Sequence, residues 1–333
     1  MPDFLEVRNL TAGVKRHGNF YKVLDDVSFS INEGEIAALA GESGCGKSMT
    51  ALSILKLLPQ AVEIQGGIIN YNGQNLTSLS ENEMRCIRGS EISMIFQETK
   101  QSLNPLMKVG RQIAECLEIC AKNKKQRINN KEQKAKNKEQ VLGLLESLGF
   151  DEAEKIFDAY PHQLSGGMCQ RAMTAVAAIN RPRLLLADEP SSSLDEESRE
   201  RILSLLLDMN CNYNTSILVI SHDLSIIQKY CSRFIIMYAG KIVEEGPADM
   251  IFSPLHPYTK ALINAIPGRD KRGTPLENIS GKVPSIEDRF SGCPFAPRCK
   301  KTQSICKEVF PSVKITENRK VYCHYPESGI NHE

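Results

Sequence analysis

The sequence predicts an α/β fold built on a parallel sheet, and three observations predict it. Residues 41–48 read Gly-Glu-Ser-Gly-Cys-Gly-Lys-Ser, the pattern G-x-x-x-x-G-K-S, set between an apolar run and a segment of helical spacing. Two further apolar runs, Arg183 to Ala187 and Ser216 to Ile220, flank a helical stretch from Glu196 to Met209, which makes a β-α-β unit. The first forty residues read differently: Val23 to Ile31 (VLDDVSFSI) alternates as a half-buried strand does.

Taken in order, Phe4, Leu5 and Val7 belong to a first short strand, and Asn32-Glu33-Gly34 turns the chain into the apolar run Glu35 to Ala40. The helix from Lys47 runs to Leu58, where Pro59 stops it. Gly66 to Tyr71 is a strand closed by the Asn72-Gly73 turn, and Glu91 to Phe96 is another apolar strand with Gln97 at its end. From Gln101 to about Tyr160 the reading is helical. Within it, Lys122 to Gln140 holds no large apolar residue except Ile128 and reads as a solvated helix or connector. Val141 to Leu148 regains an amphipathic pattern that Gly149 ends. Arg233 to Tyr238 and Lys241 to Glu245, joined by Ala239-Gly240, form a hairpin. Beyond Gly246 the chain is proline-rich and reads as an appended module.

The glycine-rich stretch explains itself chemically. Gly41, Gly44 and Gly46 free the backbone to turn successive N–H groups, those of Glu42, Ser43 and Cys45 among them, around a phosphate. The helix that begins near Lys47, with Ser48 and Met49 in its first turn, adds the positive end of its dipole. The Lys47 ammonium reaches the β and γ oxygens, and Ser48 is placed to ligate Mg²⁺. The chain is expected to bind a nucleoside triphosphate.

At 333 residues, a prior of about 150 per domain gives two compact units. A formal charge of +1 supplies no global attraction for nucleic acid or anionic lipid. No run approaches a membrane span and the start lacks a signal peptide's regions, so a soluble, cytosolic chain is expected. A reducing compartment argues against disulfides among the 11 cysteines.

Two carboxylates, Asp188 and Glu189, end the apolar strand near Leu184, where open α/β sheets gather ligands. Asp188 suits Mg²⁺, and Glu189 suits a base that orients the attacking water. Leu164-Ser165-Gly166-Gly167-Met168-Cys169-Gln170-Arg171 opens a helix that runs to Ile179, a second anion site built from a hydroxyl, free N–H groups and a dipole. Two phosphate sites in one chain imply that a second subunit completes each nucleotide pocket.

This combination resembles the ATP-binding-cassette family over about residues 3 to 250, with Leu164-Ser165-Gly166-Gly167 as its signature. The resemblance implies a P-loop NTPase with a RecA-like core, an antiparallel β subdomain, a helical subdomain at about 101–165 and a small Cys-rich extension at 251–333. It makes Gln97 the Q-loop glutamine, a catalytic residue and a ligand of Mg²⁺, Ser192-Ser193-Leu194-Asp195 the D-loop, and His222 the switch histidine on the γ-phosphate. The family stacks an aromatic residue on adenine; that position falls at Val14, with Tyr21 or Phe20 as substitutes.

A closer resemblance is to the ATPase subunits of oligopeptide, dipeptide and nickel ABC importers. It rests on Gln97-Glu98 through Ser102-Leu103-Asn104-Pro105, His256-Pro257-Tyr258-Thr259-Lys260-Ala261-Leu262, Ile266-Pro267, Ile279 to Pro284, and Gly292 to Cys299. Four tail thiols, Cys293, Cys299, Cys306 and Cys323, are spaced C-x5-C-x6-C-x16-C, which zinc or an iron–sulfur cluster accepts. The resemblance favours a [4Fe–4S] cluster over Zn²⁺, with His324 an alternative ligand and a structural role for the tail.

The resemblance further implies ATP hydrolysis on the cytoplasmic face of the cell membrane, coupled to two separate transmembrane permease subunits. A second, non-identical ATP-binding subunit would pair with the chain, Ser165 and Gly167 serving the partner's nucleotide. An extracytoplasmic binding protein would deliver the cargo, peptide or nickel. The rival class is a cassette ATPase of DNA repair or translation, and the single cassette with a short insert argues against it.

Overall fold

A computed structural model describes residues 4–97, 102–123, 131–192, 194–265, 279–288, 291–316 and 318–327. It begins with strands β1 (Leu5–Arg16), β2 (Asn19–Ile31) and β3 (Ile36–Ala40), helix α1 (Lys47–Ile54), and strands β4 (Val62–Tyr71) and β5 (Gln74–Asn75). Helix α2 (Glu81–Ile87), strand β6 (Ile92–Ile95) and helices α3 (Val109–Asn123), α4 (Lys131–Ser147), α5 (Ala153–Asp158) and α6 (Gly166–Ala178) come next. Then follow β7 (Leu184–Asp188), α7 (Glu196–Tyr213), β8 (Ser216–Ile220), α8 (Leu224–Tyr230), β9 (Arg233–Tyr238) and β10 (Lys241–Pro247). The tail holds α9 (Pro257–Ala265), α10 (Ser304–Glu308), β11 (Lys314–Thr316) and β12 (Arg319–Val321). Two compact units divide the chain: Met1–Ile31, Ala37–Thr77 and Ser221–Glu333 in one, Asn32–Ile36 and Ser78–Ile220 in the other.

In the first unit, an antiparallel sheet runs β2-β1-β4-β5. Its leading hairpin is longer than the alternation predicts, because bulges let both strands continue past their irregular points. Asn9 and Asp26 take φ of 50° and 59° there, and the Asn9 amide donates to the Asp26 carboxylate at 2.6 Å. A second run of strands has the order β11-β12-β10-β9-β3, with β3 and β9 parallel. The tail joins it directly, since Val321 and Lys320 of β12 pair with Glu244 and Glu245 of β10.

The same unit holds a core cluster in which strand and tail residues mix: Ala38, Ala40, Ile236, Tyr238 and Tyr258 with Cys293, Phe295 and Cys306. Phe295 sits 5.3 Å, ring to ring, from both Tyr238 and Tyr258. A tail so short of apolar residues cannot bury a core of its own, and it completes this one instead.

In the second unit β6, β7 and β8 are parallel neighbours, and Leu184 to Ala187 are fully buried. The apolar run therefore folds as a strand covered on both faces. Residues 132–136 of α4 are exposed, as the polar composition predicts, while Val141, Leu145 and Leu148 are fully buried. Residues 124–130 of the same polar stretch lie outside the described residues, as do Glu98, Ser193 and Ile266-Pro267. Helix α1 ends at Ile54, short of Pro59, because Lys56 already turns left-handed at φ 50°. Among the described residues no helix is long and apolar enough to cross a membrane.

Candidate active site

The glycine-rich stretch forms a loop between β3 and α1. A Cβ on Gly41 would stand 2.2 Å from the Met237 carbonyl, and one on Gly46, at φ 111°, would meet Leu24 at 2.8 Å. Only glycine fits either position. The loop is tied in place where the Gly240 N–H donates to the Cys45 carbonyl at 2.8 Å. Lys47 is buried and curls back over the loop, its Nζ donating to the carbonyls of Gly41 (2.8 Å) and Glu42 (3.0 Å). Ser43 and Gly44 at the tip are exposed, and Ser48 and Met49 are half-buried in the first turn of α1.

Glu42 is held twice over. Its N–H donates to the Tyr258 hydroxyl at 2.7 Å, and its carboxylate takes both terminal nitrogens of Arg298 at 2.7 and 3.1 Å. Arg298 and Tyr258 stand in motifs that the sequence marks only as resemblances, with no spacing that points to the loop.

Elsewhere in this unit, Val14 and Tyr21 are cross-strand partners on β1 and β2, and Lys15 faces Phe20. The position counted for the adenine stack and its two aromatic substitutes thus lie together on one hairpin. His222 is exposed just before α8, whose N-terminus Asp223 caps by accepting from the N–H groups of Ser225 and Ile226.

The second unit gathers the carboxylates and the serine-glycine helix. Asp188 is buried at the end of β7, and Glu189 follows in the left-handed region at φ 49°. For a non-glycine residue that conformation costs about 1–2 kcal/mol, and main-chain hydrogen bonds hold it, one of them from the Ser192 N–H to the Glu189 carbonyl at 3.2 Å. The Glu189 N–H donates to the Ile220 carbonyl at 2.9 Å, and its own carbonyl accepts from the Ser192 hydroxyl (3.0 Å) and the Gln170 amide (3.2 Å). Gln170 belongs to α6, whose N-cap is Ser165 through a 3.3 Å bond from the Met168 N–H. Ser165 is exposed and Gly167 half-buried, with Leu194 3.1 Å from where a Gly167 Cβ would stand. Gln97 is exposed beyond β6.

All four tail cysteines, Cys293, Cys299, Cys306 and Cys323, line one small apolar cavity together with His256 and Phe295. None is in a disulfide. Burial, and then the neighbouring thiols, push Cys293 up to about 12 and Cys323 up to about 11. Among the described residues no three Cys, His, Asp or Glu side chains stand close enough to share one metal ion. His324 directs its Nε2 to the Val309 carbonyl at 3.0 Å.

The ABC transporter family profile matches residues 24–192, and the profile of the oligopeptide/dipeptide transporter C-terminal region matches residues 243–306. The chain is 42% identical to the oligopeptide transport ATP-binding protein AppD of Bacillus subtilis, over 99% of each chain. It is 37% identical to the dipeptide transport ATP-binding protein DppD of Escherichia coli, over 92% of this chain and 91% of that one. A dimeric ATP-binding cassette solved in a post-hydrolysis state with ADP and phosphate superposes at a TM-score of 0.66, with 26% identity over 73% of this chain and 98% of its own. ATP and Mg²⁺ binding come with this kinship, and the rival repair and translation reading falls away. The chain belongs to the ABC transporter family, among its oligopeptide and dipeptide transport ATP-binding proteins.

Proposed function

We propose that this chain is the ATP-hydrolysing subunit that drives import of oligopeptides or dipeptides through separate transmembrane permease subunits. The observation that carries the reading is the near-full-length kinship to AppD, tail included, together with the oligopeptide/dipeptide transporter profile on that tail, because the phosphate loop is common to the whole family. Residues 1–250 serve as the cassette, with a helical arm at about 101–165, and 251–333 as the importer-type extension. A second ATP-binding subunit pairs with this one, non-identical by the habit of such importers, and an extracytoplasmic binding protein supplies the cargo. The complex places the chain on the cytoplasmic face of the membrane.

The roles divide as the motifs do. Gly41 to Met49 wrap the phosphates, Lys47 neutralises charge that builds on the leaving oxygen, and Tyr21 covers the base. Glu189 accepts a proton from the attacking water, Gln97 orients that water, and His222 holds the γ-phosphate. Ser165 and Gly167 complete the partner's site. Ser48, Gln97 and Asp188 would hold Mg²⁺, which supplies charge neutralisation between the β- and γ-phosphates.

The tail cysteines are proposed to hold a [4Fe–4S] cluster. Four thiols around one cavity support the reading, and Cys293, Cys299, Cys306 and Cys323 would hold the group. A lone Zn²⁺ would draw the sulfurs to about 2.3 Å from one point.

Co-purification of the complex and an assay of its ATPase test the function. Stimulation by peptide with the binding protein is expected. Stimulation by a nickel chelate and not by any peptide would overturn the cargo.

A further inference from the structure

Arg298 is a tail residue whose side chain reaches beyond the tail. It follows Pro297 and precedes Cys299, yet its guanidinium closes on the phosphate loop. All five of its N–H donors have an acceptor. Nε gives to the Ser280 carbonyl (3.0 Å) and one terminal nitrogen to Glu42 (2.7 Å) and the Tyr238 hydroxyl (3.1 Å). The other terminal nitrogen gives to Glu42 (3.1 Å) and the Ile279 carbonyl (3.0 Å). Its side chain is 5% exposed against 25% for Glu42.

Glu42 needs such a partner. It is the second residue of a loop whose backbone wraps a polyanion, and an unpaired carboxylate there would repel the triphosphate. A fully used, planar fork also fixes where the loop's first peptide sits, which lowers the ordering cost of binding. A lysine has no fork geometry with which to repeat it.

We propose that Arg298 is a positioning residue for ATP: the cysteine tail reaches through it to neutralise Glu42 and hold the phosphate loop in its binding shape. The inference rests on reading residues 41–48 as that loop. It adds a role for the tail beyond holding itself together, since loss of tail order would be felt as loss of nucleotide affinity.

The test is titration of the full-length chain with a fluorescent ATP analogue in the presence of Mg²⁺. Lys47→Ala checks the loop assignment and should abolish binding. Arg298→Gln keeps an amide donor for the tail carbonyls and drops the charge. It should raise the Kd about 10-fold, the range for losing one charged hydrogen-bonded pair. Adding Glu42→Gln to Arg298→Gln should bring the Kd back to within about threefold, because no carboxylate is then left unpaired. Arg298→Lys should stay weak. An Arg298→Gln affinity within twofold of wild type would overturn the proposal, and so would a loss that Glu42→Gln does not reverse, which would mark mere tail folding. Undiminished binding by Lys47→Ala would overturn the loop assignment instead, and the proposal with it.

Discussion

The side-chain amide of Gln170 donates to the main-chain carbonyls of Glu189, at 3.2 Å, and of Pro190, at 2.6 Å. Gln170 is buried on α6, five residues past the serine that caps it, so the helix of the serine-glycine motif grips the turn carrying the proposed base. The Ser192 hydroxyl shares the Glu189 carbonyl. Together they hold a residue in a backbone conformation that would relax without them.

Gln170→Ala should therefore act on turnover more than on binding. We expect kcat to fall about 10-fold, from a misplaced base that contributes 10²–10⁴-fold when aligned. KM for ATP should move less than threefold, about the effect of an interaction absent from ground-state binding. Steady-state ATPase assays on the assembled complex separate the two. An unchanged kcat would mean that Ser192 and Ile220 suffice to hold the turn.

Acid should loosen the unit that contains the tail. His256 is fully enclosed, and burial holds its pKa down at about 3, while Nδ1 accepts from the Tyr258 N–H at 3.0 Å. The folded state keeps the ring neutral, whereas the unfolded chain takes up a proton near the usual value of about 6.5. Stability from this site is thus whole above that pH and is lost as pH falls toward 3, at up to about 1.4 kcal/mol per pH unit. His256→Asn keeps an acceptor and cannot be charged. Denaturation midpoints from pH 7 to 5 should fall less steeply in that variant than in wild type. Parallel slopes would acquit His256.

The tail makes a chemical prediction. Anaerobically purified protein should be brown and carry about four iron and four sulfide per chain. Replacing Cys293 by serine should bleach it and loosen the chain around 291–316, since thiolate–metal bonds then stand in for missing apolar area. Stoichiometric zinc without iron would replace the cluster by a single ion. Freely titratable thiols in the native protein, with no metal, would reject both.

Much of this was legible in the sequence because it rests on local pattern. The phosphate loop is contiguous, its glycines are demanded by its own backbone, and the runs Ile36 to Ala40 and Leu184 to Ala187 are apolar throughout, as strands covered on both faces must be. Ser165 stands at the start of its helix as the motif requires, and its hydroxyl accepts from the Met168 N–H. Tertiary pairings were not legible. Arg298 meets Glu42 across 256 residues, and the two belong to motifs that looked independent. The tail read as appended because it is rich in proline, yet Phe295 packs against Tyr238 and Tyr258. The length of the first hairpin was also hidden, since Asn9 and Asp26 break the alternation at bulges that neither strand announces alone.

Hydrolysis of ATP in this chain is proposed to run through the Glu189 carboxylate and to power a peptide transporter. Turnover of Glu189→Gln in the assembled, peptide-stimulated complex tests it most directly. The amide keeps the shape of the carboxylate and cannot take a proton, so hydrolysis should fall by about 10²–10⁴-fold. ATP should stay bound and the paired subunits closed. Turnover within about twofold of wild type would contradict the assignment of Glu189 as the base.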